Sequence, residues 1–131
     1  MSGNGSTPKT VLIVEDAETC ASTLEIVFSS IDGLEVLMAS SAEQAWEMLE
    51  GPAANIGAIV TDLHMPGMDG FDWIDKVRAH QRHNAVPILV ITGSTDPDVP
   101  GRLRRCGVEA VFAKPYSPAL VREKLEQLLE R

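Results

Sequence analysis

Val11-Leu12-Ile13-Val14-Glu15-Asp16 sets an unbroken apolar run against two acids. A short apolar run without alternation suits a strand buried on both faces of a parallel sheet, since such a strand has no solvent side. Runs of similar texture recur at Leu34 to Ala39, Ala58-Ile59-Val60, Ile88-Leu89-Val90-Ile91 and Ala110-Val111-Phe112. Between them the apolar residues fall at helical spacing. Cys20, Leu24, Val27, Phe28 and Ile31 form one stripe, and Ala42, Ala45, Trp46 and Leu49 another; Ile74 with Val77, and Val121 with Leu125, Leu128 and Leu129, continue the pattern. Strand and helix thus alternate five times. That order predicts an α/β fold: βαβ crossovers around a five-stranded parallel sheet, with helices on both faces. The fourth helix is expected to be short. Gly93, Pro97, Pro100, Gly101 and Gly107 lie between Thr92 and Ala110, leaving room for about two turns from about Pro100 to Arg105. This segment is expected to be the most mobile part of the fold.

With 131 residues the chain suits one domain, read here as residues 9–131 after a Gly-, Ser- and Asn-rich flexible lead-in over residues 1–8. Eleven Lys and Arg against nineteen Asp and Glu leave a net charge of −8, which disfavours duplex nucleic acid and anionic membrane as direct partners. Cys20 and Cys106 lack C-x-x-C spacing, so a reduced, cytoplasmic setting is expected. No apolar run approaches the ~18 residues of a membrane span, and the start lacks the apolar stretch of a secretory leader.

In an open parallel sheet, ligands gather beyond the carboxyl ends of the strands. Glu15-Asp16 follow the first strand, Asp62 the third, Thr92-Gly93 the fourth and Lys114-Pro115 the fifth. Three carboxylates brought that close need a counter-charge. A hard divalent cation such as Mg²⁺ meets the need, with a lysine as the fixed positive charge opposite it. Together they would neutralise a phosphoryl group on one carboxylate.

This constellation resembles the receiver domain of two-component response regulators, over essentially residues 9–131. The resemblance rests on Val14-Glu15-Asp16, on Asp62-Leu63-His64-Met65-Pro66-Gly67-Met68-Asp69-Gly70, on Thr92 and on Lys114-Pro115. It implies a CheY-like, flavodoxin-like (βα)5 fold with strand order 2-1-3-4-5. It further implies that Asp62 accepts a phosphoryl group from a sensor histidine kinase or histidine phosphotransfer protein. Glu15, Asp16, Asp62 and the main-chain carbonyl of His64 would hold Mg²⁺, while Lys114 and Thr92 would contact phosphoryl oxygens. The modified state would switch a downstream partner or output domain, so the chain reads as a signalling phosphoacceptor that promotes its own phosphorylation and dephosphorylation, not a conventional enzyme. A homodimer is left open. One position departs from the family pattern: Val111 stands where Tyr or Phe usually does, and Phe112 lies on the opposite strand face, so the usual ring cannot report the state.

Other residues read more plainly. Asp69 is the expected N-cap of the third helix, and Met65-Pro66-Gly67 suits a type II turn. His64 either tunes acyl phosphate hydrolysis or is an exposed loop residue; His80 and His83 are expected to face solvent after the third helix. Trp46 and Trp73 read as packing, Cys20 as core, and Arg102, Arg104 and Arg105 as a solvated or docking cluster. For the Lys114-Pro115 bond the resemblance implies a tendency to cis, while the residues themselves leave the isomer open. Competing classes are a phosphorylation-independent interaction module, favoured by Val111, and a hydrolase with an aspartyl phosphate intermediate, which lacks a second acid at position 64. Flavin binding is disfavoured because Glu15-Asp16 would repel a phosphate. The last helix, Ser117 to about Arg131, shows no C-cap glycine, and a domain cut from a longer regulator or hybrid kinase is one reading of that.

Overall fold

The computed structural model describes residues 9–51 and 55–130. Residues 1–8, read above as a flexible lead-in, lie outside the described residues. Five strands, β1 (Lys9–Val14), β2 (Leu34–Ala39), β3 (Ile56–Asp62), β4 (Ile88–Thr92) and β5 (Ala110–Ala113), alternate with five helices. These are α1 (Glu18–Phe28), α2 (Ala42–Glu50), α3 (Gly70–Arg78), α4 (Val99–Arg105) and α5 (Pro118–Leu129). The strands form one parallel sheet in the order β2-β1-β3-β4-β5, the flavodoxin-like order expected.

Alternate residues of the central strands feed two cores. Val11 and Ile13 join Leu24 and Phe28 of α1 and Val121, Leu125 and Leu128 of α5. Leu12 and Val14 face the other way, toward Leu49 of α2, Trp73, Ile74 and Val77 of α3, and Leu103 of α4. β1 and β4 are buried on both faces, which is why their sequences do not alternate. β2 is an edge strand, and its Leu37 and Met38 are more than one-third exposed (37 % and 38 %), unlike the central strands it resembles in sequence.

Helix starts follow the local chemistry. Asp69 caps α3 by accepting the Phe71 amide at 2.7 Å, as its position predicted. Ser41 accepts the Gln44 amide while Gln44 Oε1 accepts the Ser40 amide, and Ser117 caps α5 ahead of Pro118. Gly67 has φ +94°, consistent with the turn read from Met65-Pro66-Gly67. α4 is a seven-residue helix closed by Gly107 at φ +75°, with Val108 N donating to Leu103 O and Gly107 N to Arg104 O. The Lys114-Pro115 bond is cis. α5 ends at Leu129 with Glu130 as its C-cap; Arg131, near which its end was expected, lies outside the described residues.

Two histidines depart from expectation. His83 is buried, with Nε2 3.2 Å from the Leu49 carbonyl at the end of α2. His80 is half-buried, edge-on to Trp46 with centroids 5.3 Å apart. The turn after α3 folds back onto α2 rather than pointing outward, a long-range contact that helical periodicity does not encode. Burial lowers the pKa of His83 below its ordinary 6.5, and the neighbouring His80 and Arg82 add to the shift. The folded state therefore binds fewer protons than the unfolded chain in this window, and stability is lost as pH falls from about 6.5 through the lowered value. His83→Gln, which keeps a donor, should flatten that loss in urea unfolding measured from pH 7.5 to pH 5.

Gly70 opens α3 where a Cβ would collide with the carbonyl of Leu63, the residue after Asp62. Gly70→Ala should cost about 1–3 kcal/mol through overpacking, read as a lower denaturant midpoint at unchanged slope.

Candidate functional site

The carboxyl ends of β1, β3, β4 and β5 meet at one edge of the sheet, and the site is built there. Val14 pairs with Thr61, Asp62 with Ile91, and Thr92 with Ala113, so the register alone aligns Glu15, Asp62, Thr92 and Lys114. Glu15 and Asp62 are each 5 % exposed, whereas Asp16 is open to solvent. Lys114 reaches from the β5 end to both acids: Nζ lies 2.9 Å from Asp62 Oδ2 and 3.3 Å from Glu15 Oε1. One oxygen from each of Glu15, Asp16 and Asp62 lies within 4.8 Å of the others. An all-oxygen, anionic donor set of that spacing fits a hard divalent cation.

Main-chain amides fix the carboxylates. Glu15 Oε2 accepts from Ala17 N at 3.1 Å, and Asp62 Oδ1 accepts from His64 N at 3.1 Å. Asp62 Oδ2 is left to the lysine. The His64 side chain is exposed. Thr92 is buried, and its hydroxyl accepts from Ser94 N at 3.0 Å, so it is held by its own loop; its carbonyl accepts from Lys114 N at 2.8 Å.

Burial pushes the Glu15 carboxyl above the ordinary carboxylate range; the Ala17 amide opposes that, the charge of Asp62 reinforces it, and Lys114 opposes it. For Lys114, burial acts to lower the ammonium, but its hydrogen bond to Asp62 and the charges of Asp62 and Glu15 outweigh that and hold it above its ordinary range. The lysine is a permanent cation at any physiological pH.

Of the residues singled out from the sequence for the site, Glu15, Asp16, Asp62 and Lys114 are brought together; Thr92 ends β4 with its hydroxyl held by the Ser94 amide, and His64 meets Asp62 through its amide. Two neighbours were not foreseen. Glu43 of α2 accepts the Met68 amide at 3.1 Å and so tethers the loop between Asp62 and α3. Tyr116, half-buried, has its hydroxyl pKa raised by burial and then by nearby Cys20 and Glu15. Neither contact leaves a spacing signature, since each joins separate elements. Arg102 lies over the Phe71 ring at 3.7 Å, so one member of the basic cluster serves packing. Cys106 is a free thiol, half-buried, 3.8 Å from Asp75 Oδ1, and burial and that carboxylate raise its pKa; Cys20 is half-buried rather than core.

Residues 11–126 match the response regulator receiver domain family, and the chain belongs to it. It is therefore a member of a family of signalling phosphoacceptors, CheY-like and flavodoxin-like in fold. Among its relatives, the chemotaxis protein CheY1 of Helicobacter pylori is 33% identical over 119 residues, covering 91% of this chain and 95% of that protein. The chemotaxis protein CheY of Pseudomonas aeruginosa is 30% identical over 121 residues, covering 92% and 96%. In structure, a response regulator described as putative from Chloroflexus aurantiacus superposes with TM-score 0.83 at 31% identity, covering 95% of this chain and 99% of that one. No helix among the described residues is long and apolar enough to cross a membrane.

Removing the ammonium leaves two buried carboxylates facing each other. Lys114→Gln should destabilise the fold by about 1–3 kcal/mol at pH 7, the cost of stranding buried acceptors. The loss should shrink at pH 4, because the Glu15 carboxyl, pushed above the ordinary range by burial, takes up a proton as pH falls; parallel urea titrations at the two pH values test this.

Proposed function

We propose that the chain, as one domain over residues 9–131, accepts a phosphoryl group on Asp62 from a phosphohistidine of a sensor kinase or phosphotransfer protein and relays that state to a downstream protein or output domain. The observation that carries the reading is the buried Asp62 carboxylate, aimed by the His64 amide and paired with Lys114 beside the Glu15-Asp16 pair. Glu15, Asp16, Asp62 and the main-chain carbonyl of His64 would hold Mg²⁺, which would supply the charge to neutralise phosphoryl oxygens.

In the transfer, a carboxylate oxygen of Asp62 forms a bond to phosphorus while the phosphorus–nitrogen bond of the donor breaks. The bonding pair leaves with the imidazole nitrogen, which takes up a proton. Lys114 would then turn from the carboxylates to a phosphoryl oxygen, and Thr92 would give up the Ser94 amide to donate to another. The added one or two negative charges bias an equilibrium between two loop arrangements rather than build a new fold. A cytoplasmic location follows from such donors.

Acetyl phosphate with Mg²⁺ should add one phosphoryl mass, labile to base, as read by intact-protein mass spectrometry. Asp62→Asn should abolish the adduct while circular dichroism stays unchanged. A folded wild-type protein that gains no mass would overturn the reading. Val111 favours a second reading, a phosphorylation-independent interaction module, because no ring can follow the threonine inward at that position. Partner binding that is indifferent to the adduct would select it.

A further inference from the structure

The loop between β3 and α3, residues 63–69, carries the His64 carbonyl that would join Glu15, Asp16 and Asp62 around a cation. Two of the acids, Glu15 and Asp62, are buried and held by amides at 3.1 Å. The carbonyl belongs to a more open segment. His64, Pro66 and Gly67 are exposed, while Met65 and Met68 pack partly buried against the core. Its place therefore depends on how the whole loop is fastened.

One fastening crosses from another element. Glu43, in the first turn of α2, accepts the Met68 amide through Oε2 at 3.1 Å, 25 positions away in sequence. Ala42, Ala45 and Leu49 seat α2 in the core and Ser41 caps it, so the carboxylate stands on a fixed platform. Both of its oxygens crowd Gly67, where a Cβ would lie 2.9 Å from Oε2 and 3.2 Å from Oε1. Glycine thus serves twice there, for the φ of +94° and for the approach of the acid. The loop is held where His64 N meets Asp62, where Met68 N meets Glu43 and where Phe71 N meets Asp69. Of these bonds, the Glu43 bond alone comes from outside the β3–α3 segment.

Fixed and loose donor sets favour different cations. Mg²⁺ requires near-octahedral oxygens at about 2.0–2.1 Å, whereas Ca²⁺ accepts about six to eight at about 2.3–2.6 Å in adaptable geometry. A carbonyl held in place favours the smaller ion relative to the larger, and a carbonyl free to shift gives up that advantage. We propose that Glu43 is a positioning residue for cation selectivity: by holding Met68 it fixes the loop that presents the His64 carbonyl, and so sets the ratio of Mg²⁺ to Ca²⁺ affinity at the carboxylate edge. This rests on the metal set of the phosphoacceptor reading. Glu43 is not one of the three acids whose oxygens converge, so it acts through the loop and not as a ligand.

Titrations of the full, metal-free chain with MgCl₂ and separately with CaCl₂, followed by NMR at the Ala17 and His64 amides, test the proposal. Glu43→Ala should weaken Mg²⁺ binding about three- to tenfold, the worth of one hydrogen bond, and Ca²⁺ binding by less than about twofold. Its Met68 amide should also exchange faster with solvent before any ion is added. Glu43→Gln, which keeps an oxygen acceptor and drops the charge, should retain the wild-type ratio of the two affinities. Glu43→Asp, which keeps the charge and shortens the reach, should lower the ratio as alanine does, and it serves if the alanine variant does not fold. Equal losses for both ions in the alanine or aspartate variant would leave only long-range charge at work and overturn the proposal. An unchanged ratio, or a glutamine variant as unselective as the alanine one, would overturn it too. Adduct mass after acetyl phosphate is read on the same samples. Wild-type protein that binds Mg²⁺ yet gains no mass would overturn the phosphoacceptor reading alone, and wild-type protein that binds neither ion would overturn both.

Discussion

The Lys114 ammonium, 2.9 Å from Asp62 and 3.3 Å from Glu15, is the contact on which the site depends. Two buried carboxylates at adjacent strand ends repel each other at a low local dielectric, and a cation between them offsets that repulsion. The cation must come from a third strand end, which the parallel order β1-β3-β4-β5 supplies. The arrangement is poised rather than relaxed. Lys114 satisfies the acids, and a divalent cation together with an incoming phosphoryl group would replace it as the partner of Asp62. Charge balance, more than shape, defines what this edge can accept.

The rest of the molecule keeps that edge rigid on one side and adjustable on the other. β1 and β3 are buried in the sheet interior and fix Glu15 and Asp62 through amides two residues further along each chain. Glu43 and the close packing of Gly70 on Leu63 hold the loop after Asp62. The β4–α4 connection differs. Its fastenings are hydrogen bonds between its own side chains and amides, and such bonds contribute only about 1 kcal/mol each. The proposed relay of a phosphoryl state would use this contrast between a firmly held floor and one connection with weaker fastenings.

The fold was legible because its physics is local or periodic. Unbroken apolar runs announced strands buried on two faces, 3.6-residue stripes announced the helices, and Pro100 with Gly107 bracketed a short α4. Strand order was not legible from the runs themselves and came from resemblance. His83 shows where periodicity stops: nothing local says that the turn after α3 folds onto the Leu49 carbonyl. β2 shows a second limit: its apolar run resembles those of the interior strands, yet it lies at the sheet edge and Leu37 and Met38 are more than one-third exposed.

By itself, the sequence determined which residues follow each strand, and hence that three acids, a threonine and a lysine would share one edge once the sheet was parallel. Their chemistry and their spacing are properties of the chain. Tertiary structure alone decided which Asp62 oxygen faces the lysine, that Thr92 is held by Ser94, and that Arg78 fastens α4 to the β4 approach. Those facts depend on distances between atoms far apart in sequence, such as the 28 positions separating Arg78 from Cys106. Residue type and periodicity carry no record of such distances, and packing alone sets them.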